Sequence, residues 1–434
     1  MIISYIEPGG AAWQSNMVNE GDILVSLKMG ALIVTPDVTN FNDIQDKLDK
    51  TSEKKISITL KKQNGQQKTV RLIKQKIAST ENSVKGYVLK QGNQKIGYIS
   101  LPSFYTDMRE HNLPGCANDV AKEIVKLQND SIKGLIIDLR NNGGGSMQEA
   151  MNLAGIFVDE GPLFILKEKN KKPYLVKDIN RGSLFKKPLV VMINETSASA
   201  SELFSNIIKD YNIGLVVGQT SYGKGTAQNV IPLDTNVLRS KSASESNTDF
   251  IKITNSKFYR LNCSTHQGNG VVPDIELPGS PGYSIYKENK EKFFLASDSI
   301  VKKVVYSPQP KADVSGIATK SNARIKASED FKRYFQSSDS VAHLLNSTQK
   351  IALKYPDYKT HKSQTNILFS SFENASKSKK VLVDCVNNTF DKKLDQVNEV
   401  AKEFNERILE SIKKDIFIAE TFSIINDFIQ QQNK

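Results

Sequence analysis

The chain of 434 residues holds 59 Lys and Arg against 47 Asp and Glu, a formal net charge of +12, with 38% hydrophobic and 24% charged residues. That length leaves room for two or three domains, and no run of about 18 apolar residues occurs, so no membrane-spanning helix is expected. The lysines are scattered among acids, without an arginine-rich stripe interleaved with aromatics, so nucleic acid is not an expected partner.

Residues 1–75 read as a small α/β unit. Ile2–Ile6, Ile23–Leu27, Ile56–Leu60 and Thr69–Lys74 have strand character, and Phe41, Ile44 and Leu48 share one face of a helix over Phe41–Leu48. Pro8-Gly9-Gly10 marks a turn into a short helix. The N-terminus has no basic region followed by a long apolar stretch, so it reads as a strand and not as a signal peptide. Residues 76–95 are polar and read as a linker.

Strands and helices then alternate. Strands are expected at Ile96–Leu101, Gly134–Leu139, Leu189–Ile193 and Leu215–Val217, and helices at Ala117–Asn129, Met147–Val158 and Ser199–Lys209. This alternation implies an α/β core with parallel strand pairs, a fold whose sites gather at the carboxyl ends of the strands. Gly143-Gly144-Gly145 and Ser199 both fall at strand-to-helix junctions. Leu238–Asp249 is serine-rich and reads as a mobile loop, and Phe250–Leu261 resumes as a strand. From about residue 285 the chain is rich in Lys, Ser, Asn and Asp. Leu394, Val397, Ala401, Phe404, Ile408 and Ile412 recur at helical spacing there, as on an amphipathic helix packed against the rest of the chain.

Two small-residue motifs carry the chemistry. Ser199 lies in Thr196-Ser197-Ala198-Ser199-Ala200-Ser201-Glu202, and Lys224 follows 25 residues later in Tyr222-Gly223-Lys224-Gly225-Thr226. A serine is a poor nucleophile until a base takes its proton. None of the four histidines, His111, His266, His343 and His361, lies in either motif. A lysine desolvated by burial can take that role. The residues thus point to a serine hydrolase with lysine as base. The competing readings are a plain helix cap at Ser199 and a phosphate loop over Gly218–Lys224. The phosphate loop fails because Gly225 stands where a magnesium-holding Ser or Thr is needed, and because a strand, not a helix, is expected next. Gly143–Gly145 suits either an oxyanion hole or a phosphate cradle. Cys116, Cys263 and Cys385 form no metal-ligand spacing, and no HExxH or EF-hand pattern occurs, so neither metal nor cofactor is expected. Cys263 with His266 could suggest a thiol nucleophile and its base, but no activating context surrounds the pair.

In combination and order, Asp138–Gly145, Ser197–Glu202, Gly218–Gln228, Lys257–Arg260 and Gly270–Pro278 resemble the catalytic core of carboxy-terminal processing, or tail-specific, proteases. Pro8–Leu27 resembles the inner part of the PDZ domain carried by that family. The resemblance implies an α/β (α+β) multidomain chain: a PDZ-like unit over 1–75, entered part-way through that domain; a serine protease core over 76–285; and a helical C-terminal region over 286–434. It implies Ser199 as nucleophile, Lys224 as general base, Gln228 orienting the amine, and the N–H groups of Gly145 and Ala200 as the oxyanion hole. Asp210 matches an acidic position near the site, with structural support as the other reading. Ile2, Ser4 and Ile6, with Ile44 and Leu48, would wall a peptide groove by strand addition. The implied function is a serine endopeptidase acting on unfolded proteins or exposed C-terminal tails, with a possible adaptor, on the periplasmic side of a bacterial envelope. The alternative is a catalytically silent peptide-binding scaffold.

Overall fold

The computed structural model describes residues 1–7, 9–36, 41–74, 84–106, 115–234, 249–279, 286–346, 353–395 and 399–432. Two compact units emerge, one formed by residues 1–81 with 392–408 and the other by residues 82–391 with 409–434.

The first unit holds an antiparallel sheet ordered Leu32–Val34, Ile23–Met29, Lys55–Lys61, Gln67–Ile73. Lys55–Lys61 alternates buried and outward residues, so Ile56, Ile58 and Leu60 share one face. They form a core with Val18, Leu27, Met29, Val34, Val70 and Ile44 of the helix Phe41–Lys50. The expected strand Ile2–Ile6 is not formed. A single bridge joins Ile2 to Ile23, and Ile3 exchanges hydrogen bonds with Gly21 and Asp22. Residues 392–408 belong to this unit through Glu403, which accepts from the Trp13 indole at 3.0 Å, and Arg407, which donates to Glu20 at 3.1 Å.

The second unit is built on a seven-stranded sheet ordered Ile275–Glu276, Leu215–Gly218, Leu189–Ile193, Gly134–Asp138, Gln94–Ser100, Lys85–Gln91, Asp384–Asn387. The first five strands run parallel, and the last two close one edge antiparallel. Gly134–Asp138 and Leu189–Ile193 are buried at every residue, the pattern required of parallel strands covered on both faces. Helices Cys116–Asn129, Met147–Gly155 and Ala200–Tyr211 supply Val120, Ile124, Leu153, Phe204 and Ile207 to the main core. A separate antiparallel sheet is ordered Thr226–Pro232, Phe250–Tyr259, Gly161–Glu168, Tyr174–Asp178.

One sequence expectation changes here. The linker read over 76–95 contains the strand Lys85–Gln91, while the serine-rich loop Leu238–Asp249 lies almost wholly outside the described residues. Residues 286–434 are shared between the two compact units. Asp384–Asn387 pairs with Lys85–Gln91, and the helix Ile416–Gln432 packs on the strands Gly134–Asp138 and Leu189–Ile193. A Cβ on Gly134 would meet Ile425 at 2.9 Å, so this glycine admits that helix.

Candidate active site

Four neighbouring parallel strands deliver the site from their carboxyl ends. Gln94–Ser100 leads to Phe104, Gly134–Asp138 to the glycine turn, Leu189–Ile193 to Ser199, and Leu215–Gly218 to Lys224. The crevice beyond the strand ends is where open α/β sheets place ligands.

Ser199 caps the helix Ala200–Tyr211 with φ 58° and ψ −112°, a strained conformation for a residue with a Cβ. Its flanking serines are fully buried and engaged elsewhere. Ser197 donates to the Leu139 carbonyl at 2.8 Å, and Ser201 to the Asn142 carbonyl at 2.9 Å. Ser199 is half-buried and is the member of the trio left to face a substrate.

The glycine turn lies against it. Gly144, at φ +100°, has space for a Cβ only 2.8 Å from Ser199 Cβ, and Gly145, at φ +143°, would place one 2.3 Å from the Phe104 carbonyl oxygen. A side chain at Gly144 would push the turn off the serine, and one at Gly145 would push it off Phe104. Asn142 fastens this turn: its amide donates to Leu101 and its Oδ1 accepts from Gly144 N–H. Among the described residues neither Gly145 N–H nor Ala200 N–H has an acceptor. Ala200 opens its helix, where N–H groups lack intrahelical partners. Two free donors therefore flank the serine.

Glu202 ties the serine to the lysine. It is fully buried, and its Oε2 accepts from both Ser199 N–H, at 2.7 Å, and Lys224 N–H, at 2.8 Å. Its Oε1 accepts from Gly223 N–H at 2.6 Å and from the Ser221 hydroxyl. The Ser199 and Lys224 amide nitrogens are thus less than two hydrogen-bond lengths apart. Tyr222 N–H adds a bond to the Ser197 carbonyl at 3.0 Å. Lys224 is half-buried, and its amine has no hydrogen bond or ion pair among the described residues. Burial first, then the positive charge of Lys252, pulls that amine below the ordinary lysine range, against the opposing pull of Glu288 and Glu202. Lys224 shares a cavity of about 550 Å³ with Gly143, Thr196, Ala198, Tyr222 and Glu288. A larger cleft of about 1610 Å³, lined by Phe157, Tyr211, Tyr306 and Phe428, lies on other loops and includes neither Ser199 nor Lys224.

Residues 95–277 match the model of peptidase family S41, and residues 283–430 match that of the C-terminal domain of tail specific protease. The chain thus carries a family S41 peptidase domain followed by the C-terminal domain of tail specific protease. It is 31% identical over 301 residues to the tail-specific protease of Haemophilus influenzae, covering 69% of this chain and 41% of that protein. It is 30% identical over 181 residues to a carboxy-terminal-processing protease of Bartonella bacilliformis, covering 42% of this chain and 38% of that protein. The chain thus spans less than half the length of either relative. Among solved structures, a photosystem II D1 C-terminal processing protease aligns with TM-score 0.38 and 23% identity, over 64% of this chain and 67% of that one.

The remaining family positions fall out unevenly. Gln228 does not donate to Lys224; its amide donates to the hydroxyls of Thr226 and Thr254 at 3.0 and 3.2 Å, at a bulge in the strand pair. Asp210 sits near the other end of the Ser199 helix, about 16 Å along its axis. There it accepts from the Arg260 guanidinium and from Leu261 N–H, the contacts of a structural support. Ile44 is only 5% exposed and Leu48 packs on the same core, so neither opens onto a groove; Ile2 and Ser4 are exposed and Ile6 packs on that core. Cys263 and His266 do not pair. Cys263 contacts the Lys302 carbonyl, and His266 turns to Lys224 and Asn206. Glu202 does not stand out in the sequence; its buried-hub role has no sequence signal beyond its place three residues after Ser199, where a capping box puts a glutamate.

Proposed function

We propose that this chain is a serine endopeptidase in which Ser199 is the nucleophile and Lys224 the general base. The observation that carries the reading is the single carboxylate oxygen of Glu202 that accepts both backbone N–H groups. It roots serine and lysine side by side, while burial keeps the lysine amine inclined to be neutral.

The steps follow from the residues. Neutral Lys224 accepts the Ser199 hydroxyl proton as Oγ attacks a peptide carbonyl. The tetrahedral oxyanion forms between Gly145 N–H and Ala200 N–H, where loss of one donor costs about 2.7–4 kcal/mol in the barrier. Protonated Lys224 then gives its proton to the departing amine, and water repeats the sequence on the acyl-enzyme. Gln228 Oε1 is the atom of that side chain left to receive the amine, since its NH2 is held by the two threonines.

Unfolded proteins or exposed C-terminal tails are the proposed substrates, brought with or without an adaptor. The compartment proposed is the periplasmic side of a bacterial envelope, in keeping with the bacterial tail-specific protease it resembles. A PDZ-like peptide-holding role for the first unit retains Ile2 and Ser4 as the accessible positions. The test is incubation of the full chain with an unfolded protein. Fragments that vanish in both Ser199→Ala and Lys224→Ala are expected; cleavage surviving Ser199→Ala would overturn the assignment.

A further inference from the structure

His266 and Gln267 are buried neighbours on the segment after Phe250–Tyr259, and the chemistry above gives them no task. His266 Nε2 lies 3.2 Å from the Lys224 carbonyl oxygen, and Nδ1 lies 3.1 Å from the Asn206 amide nitrogen. A carbonyl oxygen can only accept and an amide NH2 can only donate, so the ring is neutral and carries its proton on Nε2. Gln267 Oε1 accepts from Gly225 N–H at 2.7 Å, and its NH2 donates to Glu288 at 2.9 Å. Both polar groups of one peptide, the carbonyl of Lys224 and the N–H of Gly225, are therefore held by adjacent side chains. The peptide before it is held by Glu202 through Lys224 N–H.

Such a clamp answers a physical need. A peptide that enters a glycine rotates at low cost, because no Cβ restrains it. The Lys224 stem adds further rotatable bonds, so its amine can be aimed only if the backbone beneath it is fixed. Asn206 lies on the helix that Ser199 caps, on the same face as Glu202. His266 thus couples the serine's helix to the lysine's backbone at a second point.

We propose that His266 and Gln267 are positioning residues that fix the Lys224–Gly225 peptide and thereby the direction in which the Lys224 amine meets Ser199. This rests on the Ser199–Lys224 reading given above. Burial supports it by holding the imidazole below the ordinary histidine range, with Glu202, 4.0 Å away, and Arg260 as the charged groups around it.

The experiment is a comparison of His266→Leu, His266→Gln and Gln267→Met in the full chain, by kcat, KM and pH profile of Ser199-dependent cleavage. His266→Leu is expected to lower kcat about 10- to 100-fold, with KM changed less than about twofold, and to displace the pH range over which kcat rises as the Lys224 amine loses its charge. Gln267→Met should act in the same sense. His266→Gln should recover most of kcat, because its NH2 donates to the Lys224 carbonyl while its oxygen accepts from Asn206. A kcat and pH limb unchanged in His266→Leu, or equal losses in the Leu and Gln variants, would overturn the proposal. Nitrogen NMR of the unmutated chain gives an answer independent of variant folding: a ring protonated on Nε2 supports the clamp, and one protonated on Nδ1 removes it. Ser199→Ala separates the two readings, since a parent chain with no Ser199-dependent cleavage sinks the protease itself, whereas an active parent with indifferent His266 variants sinks only the clamp.

Discussion

Two buried carboxylates, Glu202 and Asp210, stand about two turns apart on the same face of the helix Ala200–Tyr211, and they hold different things. Glu202, in the first turn, accepts three backbone N–H groups and one hydroxyl. Asp210, in the last turn, accepts one guanidinium and one N–H. The positive end of the helix favours a carboxylate at Glu202's position and not at Asp210's, which needs a cation instead. One end of the helix ties together the two loops of the proposed reaction site; the other pins the chain after Tyr259 to the core. Residues that look alike in sequence, an acid beside the proposed nucleophile and an acid near its helix's end, are separated by what they bind.

The comparison can be sharpened by substitution. Removing the reacting groups should have the largest effect: Ser199→Ala or Lys224→Ala should each lower kcat about 10⁴-fold or more with the fold intact, and the double variant should be no worse than either. Glu202→Gln comes next. It turns an NH2 toward at least one backbone N–H of the Lys224 loop in either amide orientation, so cleavage should fall about 10- to 100-fold and stability by about 2–3 kcal/mol, read by kinetics and denaturant unfolding. Asp210→Asn should behave in the opposite proportion. It strips Arg260 of its charge partner and costs about 3 kcal/mol of stability, while kcat per folded molecule stays within about twofold. Loss of kcat at Asp210 comparable to that at Glu202 would erase the distinction between the two ends.

The smallest effect is one of pH. The amine must be neutral to accept a proton, so cleavage should rise with pH as Lys224 loses its charge. Lys252 helps hold the amine's pKa down. Lys252→Met removes that repulsion, so the amine's pKa rises, the limb moves to higher pH, and the rate at neutral pH falls. A limb moving the other way would contradict the sign.

Much of this was legible in the sequence because local pattern and global fold agree. The apolar runs at Gly134–Asp138 and Leu189–Ile193 are long enough and uninterrupted enough to be buried parallel strands, and the small residues around Ser199 and Lys224 mark the turns that follow such strands. Elements set by distant partners were not legible. Lys85–Gln91 is polar at its ends and becomes a strand by pairing with Gln94–Ser100 on one side and Asp384–Asn387 on the other. Ile2–Ile6 has the opposite fault, with β-branched residues but only one bridging partner. The site divided along the same line. The proposed nucleophile and base sit in motifs, whereas His266 and Gln267 reach the Lys224–Gly225 peptide from more than forty residues downstream and carry no pattern that announces it.

Attack by Ser199 requires Lys224 to be uncharged at that moment. Direct NMR titration of the Lys224 amine in the folded chain, set beside the pH dependence of kcat for cleavage of an unfolded protein, tests this. The predicted result is a shared midpoint below the ordinary lysine range. An amine that titrates like a surface lysine, while cleavage has already reached its plateau at neutral pH, would contradict it.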